Sequence, residues 1–217
     1  MTTIPLNVAS RVAPGAATKT LRHEHQAVCQ VLTVAEKAAL RLEQGKEVPV
    51  SLFENVLEFL KVFVDRCHHS KEEDLLFPLM ASAGIPVENG PIGHMLQDHE
   101  QGRALIALMS RGLDLWKAGD SNGKQLLIEG TYGYSALLRA HIQKENQVLF
   151  VLADSIFQPA EQEELNERFE DIEVNKLGAG THERLHGMID ELVAQTAEWP
   201  GGGPGPESET CSCKCSH

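Results

Sequence analysis

Basic residues are scarce in this 217-residue chain: 19 lysines and arginines face 31 aspartates and glutamates, a formal net charge of -12. Neutralising phosphates needs the opposite balance, which excludes nucleic acid as a partner and an anionic membrane surface with it. Long apolar runs are missing too. No stretch approaches the roughly 18 apolar residues of a membrane span, and the N-terminal MTTIPLNVASRVAPGAATKT lacks the apolar core of a secretory leader. Aromatics make up only 5% of the residues, and no Asn-Gly or Asp-Gly turn joins two β-rich runs, so no strand signal competes with helix. The five cysteines are an odd count, with three of them in the last seven residues. That is no disulfide framework, and a cytoplasmic location is expected.

What is present is helical periodicity. From Thr18 to Gln44, Leu21, Val28, Val31, Leu32, Ala35 and Ala39 recur at spacings of three and four. Gly45 suits the stop. Ser51 with Glu54 three residues on reads as a capping box opening a second helix toward Met80. Pro91 suits the first turn of a third helix, to about Lys117. A turn over Gly119–Gly123 leads into a fourth, from Lys124 to Ile156. A shorter helix starts at Pro159 and a last one spans Thr181 to Glu198. The expected fold is all-α: an antiparallel up-down four-helix bundle over residues 18–157. A flexible arm (1–17) precedes it, and a helical extension (158–200) and a Gly/Pro linker with a Cys-rich tail (201–217) follow.

An internal repeat carries the chemistry. His68–Phe77 (HHSKEEDLLF) and His141–Phe150 (HIQKENQVLF) share His, Lys, Glu, Leu and Phe in register. In each copy His and Glu are four apart, on one face of a helix. Each copy is preceded by an acid-His pair, Glu24-His25 and Asp98-His99, at nearly equal distance. Two such hairpins packed face to face aim His25, His68, His99, His141, Glu72 and Glu145 at one point. Imidazoles and carboxylates are the usual ligands of iron and manganese, and bundle cores commonly hold such pairs of ions. Without a metal, six polar groups in a bundle core are costly.

With LRHEHQAV, CHHSKEEDLLFPLM, GIPVENGPIGHMLQDHEQGR and LLRAHIQKENQVLF, the stretch from Leu21 to Phe157 resembles the hemerythrin-like, or HHE cation-binding, family. The resemblance implies two Fe ions in an oxo- or hydroxo-bridged di-iron centre. Glu72 and Glu145 would be the bridging carboxylates, and each ion would take two of the four histidines. Oxygen-carrying hemerythrins use five histidines, a Glu and an Asp. The four-His, two-Glu set here leaves more positions open, which favours chemistry on a bound small molecule. The implied ligand is peroxide, dioxygen or nitric oxide, with peroxide handling of a catalase or peroxidase kind preferred. An oxygen, iron or redox sensor, an O2 carrier without turnover, and iron storage or delivery are the alternatives. Manganese or a mixed Fe/Mn pair fits the same ligands.

Other residues carry weaker signals. Tyr134, two helical turns before His141, is placed to hydrogen-bond an iron-bound species, or to pack at the rim. Cys29 lies one turn after His25, as a small core residue or a thiol near the site. His69 is a candidate for the site's edge. Glu24 and Asp98 could orient histidines through hydrogen bonds, but they diverge by about 100° from their neighbouring histidines and read first as solvated; His23 and His94 read as surface residues. His182-Glu183-Arg184-Leu185-His186 spells the HExxH signature of zinc proteases. No obvious third ligand follows it before the Gly/Pro tail, and no sheet would hold a substrate, so these histidines read as packing the last helix over the bundle, or near the metal site. In the tail, Cys211, Cys213 and Cys215 with His217 could take a soft metal or serve a metal-transfer or protein partner.

Overall fold

The computed structural model describes residues 13–178 and 180–201. Among them are six helices and no strand. Helix α1 is Ala16–Glu43. Helix α2 is a single rod over 50–82, in which α-helical stretches alternate with π-helical ones at Leu60–His68 and Glu72–Leu76. Helix α3 is Pro91–Lys117. Helix α4 covers 122–156, with a π-helical segment at Glu145–Leu149. Helices α5 (Pro159–Leu177) and α6 (Thr181–Gln195) follow. Most of the arm and all of the Cys-rich tail lie outside the described residues.

Boundaries differ from expectation in small, explicable ways. Helix α1 begins two residues early, and Ala17 is already in the core. Helix α2 opens at Val50 behind Pro49, and no Ser51 side chain caps it. Helix α4 opens at Asn122, which takes Gly123 out of the turn and into the helix. Gly45 does end α1: it takes φ +69°, and its N–H donates to the Leu42 carbonyl at 3.0 Å. A capping interaction unread in the sequence opens α5, where the Glu161 carboxylate accepts the Gln158 N–H at 2.7 Å.

The apolar stripes bury as two separate clusters, and the chain alternates between them. Helix α1 runs from Ala17 and Leu21 in the smaller cluster to Val28–Leu42 in the larger. Helix α2 returns, from Leu52–Val64 to Leu76–Met80. Helix α3 leaves again, from Ile92 and Met95 to Ile106–Leu113, and α4 returns to Leu149–Ala153. That alternation is an up-down-up-down bundle. Helix α5 covers the smaller cluster with Leu165 and Phe169, and α6 covers the larger with Leu185, Ile189 and Leu192. Helices α3 and α4 cross closely where glycines allow it. A Cβ on Gly112 would stand 2.5 Å from the Leu127 backbone nitrogen and 2.8 Å from the Gly123 carbonyl oxygen. Between the two clusters every bundle helix places a histidine, and α2 and α4 add a glutamate, so a polar layer is sealed between apolar ones. Among the described residues no helix is long and apolar enough to cross a membrane.

Candidate metal centre

All six expected ligands are buried, none more than 3% exposed. They form two overlapping groups: His25, His68, Glu72 and Glu145, and His99, His141, Glu72 and Glu145, each with its donor atoms within 4.8 Å of one another. The glutamates belong to both. Glu145 puts one oxygen 3.1 Å from His25 Nε2 and the other 3.2 Å from His141 Nε2. Glu72 does the same, 3.7 Å from His68 Nε2 and 3.5 Å from His99 Nε2. Each carboxylate therefore spans the two histidine pairs. Both glutamates open π-helical segments. An extra residue in the turn rotates the side chains relative to an α-helix, and such segments recur at functional sites.

The hydrogen bonds around the rings fix their tautomers. His68 Nδ1–H donates to Glu24 at 2.7 Å, His99 Nδ1–H to Glu73 at 2.6 Å, and His141 Nδ1–H to Asp98 at 3.3 Å. His25 Nδ1–H donates to the Asn146 side-chain oxygen at 3.1 Å. With every Nδ1 donating, each ring in its neutral form presents an Nε2 lone pair. Yet the Nε2 atoms of His25 and His68 stand 3.1 Å apart, and those of His99 and His141 3.2 Å apart. Facing lone pairs repel unless a cation lies between them. The oxygens of Glu72 and Glu145 find no hydrogen-bond partner among the described residues, so the donor set fits two cations and is poorly satisfied by protein alone.

The repeat now accounts for itself residue by residue. Its Lys reaches the acid upstream: Lys71 pairs with Glu24, and Lys144 with Asp98 at 2.6 Å. Its Phe stacks on a histidine of the other half, Phe77 on His99 at 5.9 Å and Phe150 on His25 at 5.5 Å. The residue after each of Glu72 and Glu145 holds the opposite half's first histidine, with a carboxylate (Glu73) in one copy and an amide (Asn146) in the other. Glu24 and Asp98 are thus not solvated spectators. The 100° that turns each away from its neighbouring histidine turns it toward the adjacent helix. The halves also differ at Lys71. It is fully buried, because Glu173 of α5 closes over it as a second ion-pair partner, whereas Lys144 is exposed.

Charges in the layer are tuned against one another. Burial pushes the Glu72 carboxyl well above the usual range, and the Glu145 charge beside it adds to the push. Burial opposes the charge on Glu145 as well, but His141 and His25 outweigh it and hold that carboxyl well below the range. His141 is raised to about 9 against its burial, chiefly by Glu145 and Asp98. Glu24 is held at about 2: the His68 hydrogen bond and the Lys71 charge outweigh its burial. Protons shared among buried carboxylates and imidazoles are what a bound cation displaces.

His69 is brought to the site's edge. It is 3% exposed, and its ring stacks on His99 with 3.8 Å between centroids. One of its nitrogens lies within 4.8 Å of a nitrogen on each of His99 and His141. Burial depresses its pKa to about 3. Tyr134 is in the core, 1% exposed rather than at the rim, and its hydroxyl has no hydrogen-bond partner among the described residues. Cys29 is buried in the larger apolar cluster. His182 and His186 pack against Phe63, as their packing reading has it, and His23 and His94 are exposed.

Comparison with known proteins agrees with the geometry. A model of the hemerythrin HHE cation binding domain matches residues 16–153. An uncharacterized protein of Mycobacterium bovis and one of Mycobacterium tuberculosis are each 22% identical over 165 residues, covering 76% of this chain. The chain's match spans 64% of the length of those curated relatives. No solved structure matches the chain significantly. The family model covers well over half the chain and includes all six converging side chains: the chain belongs to the hemerythrin HHE cation-binding family.

Proposed function

We propose that the protein holds two iron ions, one between His25 and His68 and one between His99 and His141, with Glu72 and Glu145 bridging them, and that it acts on small oxidants, hydrogen peroxide first among them. One observation carries the reading: two carboxylates each span two pairs of imidazoles whose Nε2 lone pairs face one another. Manganese in one or both positions suits the same donors. The ion pair would supply two-electron chemistry, passing two electrons from one peroxide to another so that two hydrogen peroxide molecules give two waters and one dioxygen without an outside reductant. The chain's part is to hold and insulate. Glu24, Glu73, Asp98 and Asn146 fix the imidazole orientations. Phe77 and Phe150 wall the layer on its apolar side. Tyr134 has a buried hydroxyl without a hydrogen-bond partner among the described residues.

Peroxide added to iron-loaded protein in an oxygen electrode tests this. Rapid oxygen release, lost in Glu145→Ala, supports the proposal, and two bound irons with no release contradict the peroxide reading.

A redox or metal sensor is a second reading, and one contact favours it. Helix α5, outside the bundle, reaches His68 through Glu173, Lys71 and Glu24. A shift at that histidine has a direct route to an outer helix. A stable coloured oxygen adduct without turnover would favour this reading.

A further inference from the structure

The HExxH segment of α6 takes no part in the buried centre. His182 and His186 are four apart and share one face of the helix. Their rings meet at 67° with 4.6 Å between centroids. The two histidine pairs of the centre have almost the same arrangement: 59° and 4.8 Å for His25 and His68, 62° and 4.8 Å for His99 and His141. Each of those pairs is gathered from two helices. This one comes from successive turns of a single helix and is half-exposed.

Packing alone does not explain the pair. Both rings lie against Phe63, a place that apolar side chains would fill without bringing two imidazoles together. Among the described residues neither ring has a hydrogen bond or an ion pair with protein, so their nitrogens are open to solvent or to a ligand. Burial, and then the charges of His182 and His23, lower the His186 pKa, which keeps that ring neutral at pH 7, the form that binds metal. The pair is also held in place by the residues between its members. Arg184 donates to Glu58 of α2 at 2.6 Å, and Leu185 is fully buried in the larger cluster. Imidazoles fixed in this way lose little freedom on taking a cation.

We propose that His182 and His186 form a second metal site on the outside of the bundle, a two-imidazole chelate for one divalent cation of the zinc, nickel or copper class, with water completing the coordination. Imidazole suits these ions, whereas magnesium and calcium seek oxygen. Among the described residues no third histidine, cysteine or carboxylate joins the pair in a ready-made three-ligand group. Glu24, whose charge His186 feels, is committed to His68 and Lys71. Catalytic zinc is held by three protein ligands, so a two-histidine site binds and exchanges its ion and is not a peptidase centre. The proposal does not depend on what the buried centre holds.

Zinc is the probe. It is titrated calorimetrically into the full-length, iron-loaded protein carrying Cys211→Ser, Cys213→Ser and Cys215→Ser, which removes the tail thiols as competitors. Iron content is measured before and after. The expected result is one zinc per chain beyond any that the buried centre takes. Losing a residue that merely supports a ligand costs about 10–100-fold in metal affinity, so His182→Ala and His186→Ala should each weaken this zinc at least about tenfold while leaving iron content unchanged. His186→Gln, which keeps the bulk of the ring, should lose as much as His186→Ala. His94→Ala, at an exposed histidine of α3, should bind as the parent does. Circular dichroism checks that each variant is folded, and two independent positions keep the test decisive if one variant is not. Absence of zinc beyond the centre overturns the proposal. So does an affinity unchanged in folded His182→Ala or His186→Ala, and so does magnesium binding as tightly as zinc.

Discussion

Lys71 offers the sharpest test of how the outer helix is tied to the centre. Its ammonium is fully buried between Glu24 and Glu173, and Glu24 in turn holds His68. Lys71→Met keeps the volume and removes the charge. Glu24, 5% exposed, is then a buried carboxylate with only a neutral imidazole for a partner. Breaking a buried pair from one side costs about 3–5 kcal/mol. Glu173 is a quarter exposed, so water takes over much of its share, and the low end, about 3 kcal/mol, is the expected loss. For a chain this long that is a fall of about 6–12 °C in Tm. The assay is urea and thermal denaturation of the metal-free protein, followed by circular dichroism. Lys71→Met with Glu24→Gln removes the stranded charge as well and should recover at least half of the loss. Glu173→Gln alone should cost about 1 kcal/mol. A Lys71→Met variant within about 0.5 kcal/mol of wild type, the usual size of an inconsequential surface change, would refute the reasoning and reduce Glu24–Lys71–Glu173 to a passive contact.

Three further outcomes follow from other parts of the structure. Glu72→Met removes a buried carboxyl without a hydrogen-bond partner; it should raise the unfolding free energy of the metal-free protein, read from urea denaturation, by about 1 kcal/mol or more while abolishing paired metal binding, and a lower stability would contradict this. Gly112→Ala drives a Cβ into the backbone of α4 and should cost roughly 2–3 kcal/mol of stability, read by the same denaturation curves. His186 has its pKa lowered, chiefly by burial and then by the His182 charge beside it. A depressed folded pKa means that the stability it contributes is present above the unfolded value near 6.5 and lost as pH falls through the folded one. Cooling of Tm between pH 7.5 and 5.5 should therefore be smaller in His186→Gln than in wild type, and equal slopes would show that His186 does not contribute.

The bundle and the convergence of six side chains were legible because the sequence states them twice. His68–Phe77 and His141–Phe150 repeat one pattern, and its upstream histidines repeat with it. A face-to-face pairing of two hairpins then has little freedom. The supporting residues were harder to read for a geometric reason. An offset of 100° on one helix points Glu24 and Asp98 away from their neighbouring histidines, and in a bundle that direction is the neighbouring helix, onto His68 and His141. The shared Lys of the repeat was the available signal, since a lysine retained in both copies needs an acid in both halves. The π-helical turns at Glu72 and Glu145 leave no trace in residue propensity. The burial of Lys71 depends on where α5 docks, which no local pattern specifies. Gly123 reads as a turn residue by type, yet it serves close packing between α3 and α4.

The central claim is a pair of iron ions bridged by Glu72 and Glu145. Iron content together with Mössbauer spectroscopy of the full-length protein tests it directly, on wild type and on Glu72→Ala and Glu145→Ala. The account predicts two irons per chain in an antiferromagnetically coupled pair, and loss of the coupled pair in either variant. One zinc per chain, indifferent to both substitutions, would contradict it.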